Sequence, residues 1–186
     1  MKKFAAGLIV GIIILLVCAF LYIWLGYAPV ATAGSPLPLE RKLASMALQA
    51  RISREAPHQA SIPATEDNLS AGAKIYSEEC AVCHGVAGEP ETAISKGMYP
   101  HPPQLFHGKG VTDDPAGETY WKVANGIRLT GMPAFAASLT STQMWQVSLL
   151  LANANQLPAD VKTLIVPSTT SSNRAVPTIE TKPNTP

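Results

Sequence analysis

A run of uncharged residues near the N-terminus limits most strongly what this chain can fold into. The run extends over 24 residues, from Phe4 to Tyr27, and is rich in Ile, Leu and Val. As a helix it would be about 36 Å long, which exceeds the roughly 30 Å of hydrocarbon in a bilayer. The sequence therefore predicts a transmembrane anchor over residues 1–27.

The charges that flank this run predict its orientation. Lys2 and Lys3 precede it, and the next basic residue is Arg41. Because basic loops stay on the cytoplasmic side, we expect everything after Tyr27 in the periplasm or outside the cell. A cleaved signal peptide is the alternative, since small residues suited to cleavage occur at 31–33. The length of the run favours an uncleaved anchor, because the apolar part of a signal peptide spans about 7 to 15 residues.

The remaining chain divides into a stalk, a folded unit and a tail. Residues 28–66 begin with prolines and small residues, which indicate an extended stalk. Residues 67–157 carry apolar residues at helical spacing and predict a compact domain. The tail, 158–186, ends in a stretch of Ser, Thr, Pro and Asn, and we expect it to be disordered because it lacks a periodic apolar set.

The stalk contains a predicted short amphipathic helix at 39–54. Its larger apolar side chains lie on two sides, one with Leu39, Leu43 and Met46 and the other with Leu48 and Ile52. The first of these sides could pack on the domain, touch anionic lipid or meet a partner subunit. Packing or a role as a solvated spacer is the simplest expectation.

The folded unit is predicted to be a small all-α domain. Asn68 can cap a first helix, because its side chain can accept a free backbone N–H of the first turn. Pro115 and Gly126 mark the start and the end of a second helix. Thr140 and Gln143 form a capping-box pattern before a third. Strand-like alternation does not compete with these signals.

Two long connections, 85–113 and 126–139, are rich in glycine and proline. Such loops are unusual in a domain of about 90 residues unless they wrap something that is not protein. A bound cofactor would explain them.

The charge balance argues against a nucleic-acid-binding protein. The chain has 14 Lys and Arg against 13 Asp and Glu, so neither sign dominates. Over 67–157, eight acidic and five basic residues give a net charge of −3. Electrostatic steering of a partner would therefore be weak.

The segment Cys80-Ala81-Val82-Cys83-His84 is the C-x-x-C-H pattern of covalent haem c attachment. Thiols three residues apart can reach the two vinyl groups of one porphyrin, and the adjacent imidazole becomes an iron ligand. A thioredoxin-like disulfide would need a βαβ setting. A zinc site would need two further ligands, and the remaining cysteine, Cys18, lies in the predicted anchor. One covalent haem c is the predicted cofactor.

Met132 is the predicted second iron ligand. The glycine before it lets the backbone approach the ring, and the proline after it stiffens the loop. Met98 is the rival, although it follows His84 by only 14 residues. A bis-histidine site with His101 or His107 is a further alternative.

These motifs resemble a bacterial class I monohaem cytochrome c domain. The resemblance covers residues 68–155 and rests on four segments: Gly72 to Tyr76, Cys80 to Gly85, Asn125 to Arg128, and Gly131 to Phe135. It implies an all-α fold around one haem, in which the first and last helices cross closely. This crossing would place Gly72 and Tyr76 against Trp145 or Leu149.

The resemblance also implies contacts around the haem. A proline carbonyl, that of Pro102 or Pro103, would accept a hydrogen bond from His84 and fix its ring. Trp121 and Arg128 could bond the haem propionates, although plain core and surface roles suit them almost equally well.

His and Met ligation would leave no open position on the iron, which disfavours catalysis at the haem. One-electron transfer remains. We expect a membrane-tethered electron carrier, not itself an enzyme, whose partners are redox proteins such as membrane respiratory complexes. The alternatives are a fixed haem subunit of a larger complex (quinol-oxidising, oxidase or dehydrogenase) and a gas-sensing or peroxidase-like haem protein.

Overall fold

The computed structural model describes residues 2–106 and 114–165 of the chain. The predicted ligand alternative His107 and most of the predicted tail lie outside these residues. Within them the structure is all-α, as the sequence predicts, and contains no strand. The helices are α1 (Lys2–Trp24), α2 (Glu40–Glu55), α3 (Glu66–Ile75), a π-helical turn (Tyr76–Cys80), α4 (Ala81–His84), α5 (Ala93–Lys96), α6 (Ala116–Asn125), α7 (Ser141–Ala152), a 3₁₀ turn (Ala154–Gln156) and α8 (Ala159–Ile165).

The N-terminal helix α1 is long and apolar enough to cross a membrane, a property that it shares with signal sequences. None of its residues is buried against the rest of the described chain. The helix ends at Trp24, three residues before the end of the apolar run. Gly26 adopts a positive φ of 77° beyond this end, a backbone conformation that suits glycine and closes helices.

The core of the domain forms where α3 crosses α7. Gly72 of α3 lies directly against the backbone carbonyl of Gln146 and the Cβ of Leu150 on α7. The close crossing implied by the resemblance is therefore present. The contacts of Gly72 lie one residue further along α7 than the predicted Trp145 and Leu149.

Replacing Gly72 by alanine is expected to lower the free energy of unfolding by about 1 to 3 kcal/mol, because the added Cβ overpacks a close helix crossing. A matched control is Gly97→Ala, where a Cβ would meet its nearest neighbour at 3.7 Å. Denaturant unfolding of the two variants beside the parent measures the difference. Equal stability of Gly72→Ala and Gly97→Ala would contradict the close crossing.

The caps of the predicted helices are observed with one exception. Gly126 follows α6, and Thr140 forms both bonds of a capping box with Gln143. The prediction for Asn68 is wrong, because Thr65 caps α3 instead and accepts the Asn68 backbone N–H at 3.4 Å. The Asn68 side chain accepts from Gln146 of α7 at 3.0 Å and so links the two crossing helices.

The folded unit extends beyond the predicted boundary at residue 157. Helix α8 packs against α3 and the π-helical turn, and its Val161 and Ile165 are fully buried. The hydroxyl of Ser77 donates to the carbonyl of Leu164 at 3.0 Å. Two apolar residues four apart are enough to bury one face of so short a helix.

Helix α2 packs on the domain through the side that carries Leu48 and Ile52. Ile52 is completely buried, whereas Leu39, Leu43 and Met46 are each at least 60% exposed. The carbonyl of the following Pro57 lies directly against Gly117 at the start of α6, where any larger residue would clash. Helix α2 therefore packs on the domain, but through the side opposite to the one considered from the sequence, and the side with Leu43 and Met46 is exposed.

Candidate haem site

A cavity of about 310 Å³ opens between the π-helical turn and α4, the segment 98–105, α6 and the loop that follows α6. Most of its lining surface is apolar, as in pockets that bind organic cofactors. Six of the eight residues predicted around the haem line it: Cys80, Cys83, His84, Pro102, Pro103 and Met132.

The two cysteines come from the end of the π-helical turn and from α4. Both are free, half-buried thiols on the wall of the cavity. Burial, together with the charges of Glu79 and Cys83, raises the pKa of Cys80 to about 12. The thiol is therefore protonated at neutral pH, and this form is less reactive toward oxidants than a thiolate.

His84 ends α4 and is held in one orientation. Its Nδ1 lies 2.7 Å from the carbonyl oxygen of Pro103, and a carbonyl can only accept, so Nδ1 carries the proton. Burial lowers the pKa of His84, and this hydrogen bond opposes the shift in part. The ring is therefore neutral at pH 7, with the lone pair on Nε2 available to a metal. Of the two prolines predicted as acceptor, Pro103 has this role.

Tyr76 supports the chain just after His84. The tyrosine is fully buried, its hydroxyl donates to the carbonyl of Gly85 at 2.6 Å, and its ring meets Phe106 edge to face at 4.8 Å. Burial raises the pKa of this phenol, so it remains a donor at any physiological pH. Tyr76 therefore holds the turn after His84 as well as contributing to the core.

Met132 lies in a loop that folds back on itself. Its backbone N–H donates to the Thr130 hydroxyl at 3.1 Å, and its carbonyl accepts from Ile127 at 3.2 Å. Gly126 makes this turn possible: its φ is 65°, and a Cβ there would lie 2.7 Å from the backbone of Ala134. The loop therefore presents the Met132 side chain to the cavity from a backbone that has little freedom.

The rival ligands are placed differently by the structure. Met98 also lines the cavity and lies against Gly131, so the two thioethers share one cavity. His101 reaches the cavity rim, but its Nε2 pairs with Glu91 at 3.0 Å. Because His101 is paired with Glu91, its position favours a methionine as the second ligand. Both methionines line the cavity, and the constrained loop described above favours Met132 over Met98.

The predicted propionate contacts of Trp121 and Arg128 are not supported by the structure. The indole N–H of Trp121 already donates to Glu55 of α2 at 3.2 Å. Arg128 is exposed, and neither residue lines the cavity.

Sequence reasoning missed several residues that line the cavity, among them Lys122 and Leu48. Lys122 of α6 pairs with Asp114 at 2.5 Å beside it. The spacing of Thr119, Lys122 and Val123 places them on one helix face and could have indicated this. Leu48 of α2 also lines the cavity, but only the packing of the stalk on the domain brings it there.

The groups on this cavity fit a c-type haem. The mostly apolar wall of one cavity carries all the groups that such a haem needs. They are two thiols three residues apart, a neutral imidazole with Nε2 available, and a thioether. A haem bound through such groups supplies one-electron redox chemistry.

The match to a protein family agrees with this chemistry. Residues 67–149 match the family model described as cytochrome C oxidase, cbb3-type, subunit III. This part of the chain is therefore a c-type cytochrome domain, its cofactor is haem c, and the activity of such a domain is electron transfer.

Among solved structures, a chain of the Kuenenia stuttgartiensis reducing HAO-like protein complex is similar with 25% identity and a TM-score of 0.46. The match covers 54% of this chain and 49% of that one, so the chain aligns with about half of it. None of the curated proteins matches.

Proposed function

We propose that the chain is a membrane-tethered one-electron carrier with a single haem c. Cys80 and Cys83 hold the porphyrin through thioether links, and His84 and Met132 are the axial ligands. The observation that carries the proposal is that all four side chains line one cavity, although Met132 lies 48 positions after His84.

The ligand set determines the chemistry. An imidazole and a thioether together leave no open position for oxygen or peroxide, and the thioether favours the ferrous state. The hydrogen bond from His84 to Pro103 fixes the ring and sets its strength as a donor. These residues therefore favour electron transfer over catalysis.

The anchor limits where the carrier works. Helix α1 holds the chain in the cytoplasmic membrane, and the basic residues Lys2 and Lys3 keep its N-terminus inside. The cytochrome domain then lies on the outer face, in the periplasm or outside the cell. Confinement to the bilayer raises its effective concentration near membrane respiratory complexes, which are the proposed donors and acceptors.

A second candidate is a fixed haem subunit of a larger respiratory complex. The description of the matching family, which is that of an oxidase subunit, favours it. Here the same haem would pass electrons within one assembly.

Extraction of the full chain from its native membrane in a mild detergent separates the two candidates. We expect the haem-stained protein to migrate as a 19.7 kDa polypeptide plus haem and detergent, without stoichiometric partners. Adding back purified membranes should oxidise or reduce it within seconds to minutes. A constant ratio to other subunits through two purification steps would instead establish the fixed subunit.

A further inference from the structure

Helix α2 has an apolar face that nothing in the described part of the chain covers. Leu39, at its N-cap, and Leu43 and Met46 are exposed by 65, 61 and 60%. At 100° per residue Leu43 and Met46 lie on the side of α2 opposite to Leu48 and Ile52. Leu39 directly precedes the helix, where its backbone has a left-handed φ of 65°. We call the side with Leu43 and Met46, together with Leu39 before it, the outer face of α2.

Basic residues border this face. Lys42 lies about 70° to one side of the middle of Leu43 and Met46, and Arg54 lies about 50° to the other side. Both are exposed. A helix with an apolar stripe between basic residues is typical of segments that lie in the plane of a membrane interface.

The chain keeps α2 near the membrane. Only residues 25–39 separate the end of α1 from the start of α2, and fully extended they span at most about 50 Å. Apolar side chains continue along this linker: Leu25, Tyr27 and Val30 are 62, 68 and 93% exposed. Trp24 and Tyr27 also supply the aromatic rings that favour the headgroup level.

We propose that the outer face of α2 binds the headgroup region of the membrane that holds α1, with Lys42 and Arg54 beside lipid phosphates. The inference rests on the proposed anchoring by α1. A lipid surface is favoured over a second copy of the chain. Stable protein interfaces typically bury about 1,200 Å² or more, and the surface of three large side chains is only a small part of that area.

The proposal has a consequence for the haem. The opposite side of α2 places Leu48 in the cavity wall, and Glu55 bonds Trp121 of α6. Since one rigid helix contacts both the bilayer and the cavity, the cytochrome domain lies against the membrane in one orientation instead of tumbling on its stalk. Electron exchange with membrane-embedded partners is then favoured.

The test uses the full holoprotein in bilayer nanodiscs, in a Cys18→Ser background. A bimane fluorophore is attached at Ala50→Cys, which lies on the outer face, or at Ser45→Cys, an exposed position on another side of α2. Each labelled protein is compared with itself in discs of ordinary and of chain-brominated lipid, which cancels quenching by the haem. We expect bromine to reduce the emission at position 50 about twofold or more and to leave position 45 nearly unchanged, because interfacial helices bury one face.

Two further variants sharpen the result. Leu43→Gln with Met46→Gln, in the Ala50→Cys protein, should remove the bromine effect and leave the haem spectrum as it was, since both side chains are exposed. Lys42→Gln with Arg54→Gln should weaken the effect in anionic lipid more than in zwitterionic lipid.

Equal bromine quenching at positions 45 and 50, or none at either, would overturn the inference. So would self-quenching at position 50 that rises with the number of chains per disc, which indicates a second copy. If the protein is red and stays in the disc in these cases, only this inference fails. A colourless protein, or one that leaves the disc, contradicts the proposed function instead.

Discussion

Replacing Cys80 and Cys83 together by serine is expected to abolish covalent haem in the full chain. Both thiols line the cavity, and each would form one of the two thioether links. After denaturing electrophoresis, haem staining should show a band for the parent and none for the double variant at equal protein load. A single replacement should leave one link and a weaker band.

Cys18→Ser is the matched control for this experiment. Cys18 lies in α1, apart from the cavity, so its loss removes a thiol without removing a link. We expect haem staining equal to that of the parent. A double Cys80/Cys83 variant that still stains, or a Cys18 variant that does not, would contradict the assignment of the two links.

Replacing Met132 by alanine is expected to change the iron without removing the haem. The weak far-red band that sulfur gives to ferric haem should disappear, and carbon monoxide should bind the reduced form rapidly at the open position. The reduction potential should fall by on the order of 0.1 V, within the roughly 0.8 V over which axial ligands set haem potentials. Optical redox titration measures both the band and the potential.

Met98→Ala is the control, because Met98 lines the same cavity. It should keep the far-red band and exclude carbon monoxide as the parent does. If Met98→Ala loses the band and Met132→Ala keeps it, Met98 is the ligand and the account of the loop after α6 is wrong.

Signals that depend on residues close in sequence predicted the structure well. The capping box of Thr140 and Gln143 and the end of α6 at Gly126 are local hydrogen-bonding and backbone effects, and both are observed. The C-x-x-C-H segment is equally local, because the chemistry of the haem fixes its spacing. The all-α class followed from such signals.

Features decided by packing could not be predicted in the same way. Asn68 has the properties of a cap, but its side chain is used to bond Gln146 across the helix crossing. From the sequence Trp121 suits a propionate contact and a plain core role almost equally well, but α2 packs on α6 and supplies Glu55 as the acceptor of its indole N–H. In both cases the partner lies more than 60 positions away, and no local pattern indicates it.

The end of the domain was missed for a related reason. Val161 and Ile165 are only two apolar residues in a segment that leads into a polar tail, which is a weak signal alone. Their burial against α3 supplies the stability of α8, because so short a helix is marginal without tertiary packing.

The account depends on a haem joined to this polypeptide at Cys80 and Cys83. The most direct measurement is the mass of the intact chain after expression with a working cytochrome c maturation system, followed by tryptic digestion. We predict the mass of the polypeptide plus one haem, with the added mass on the peptide between Lys74 and Lys96 that contains both cysteines. The mass of the bare polypeptide, from cells that mature another c-type cytochrome normally, would contradict the account.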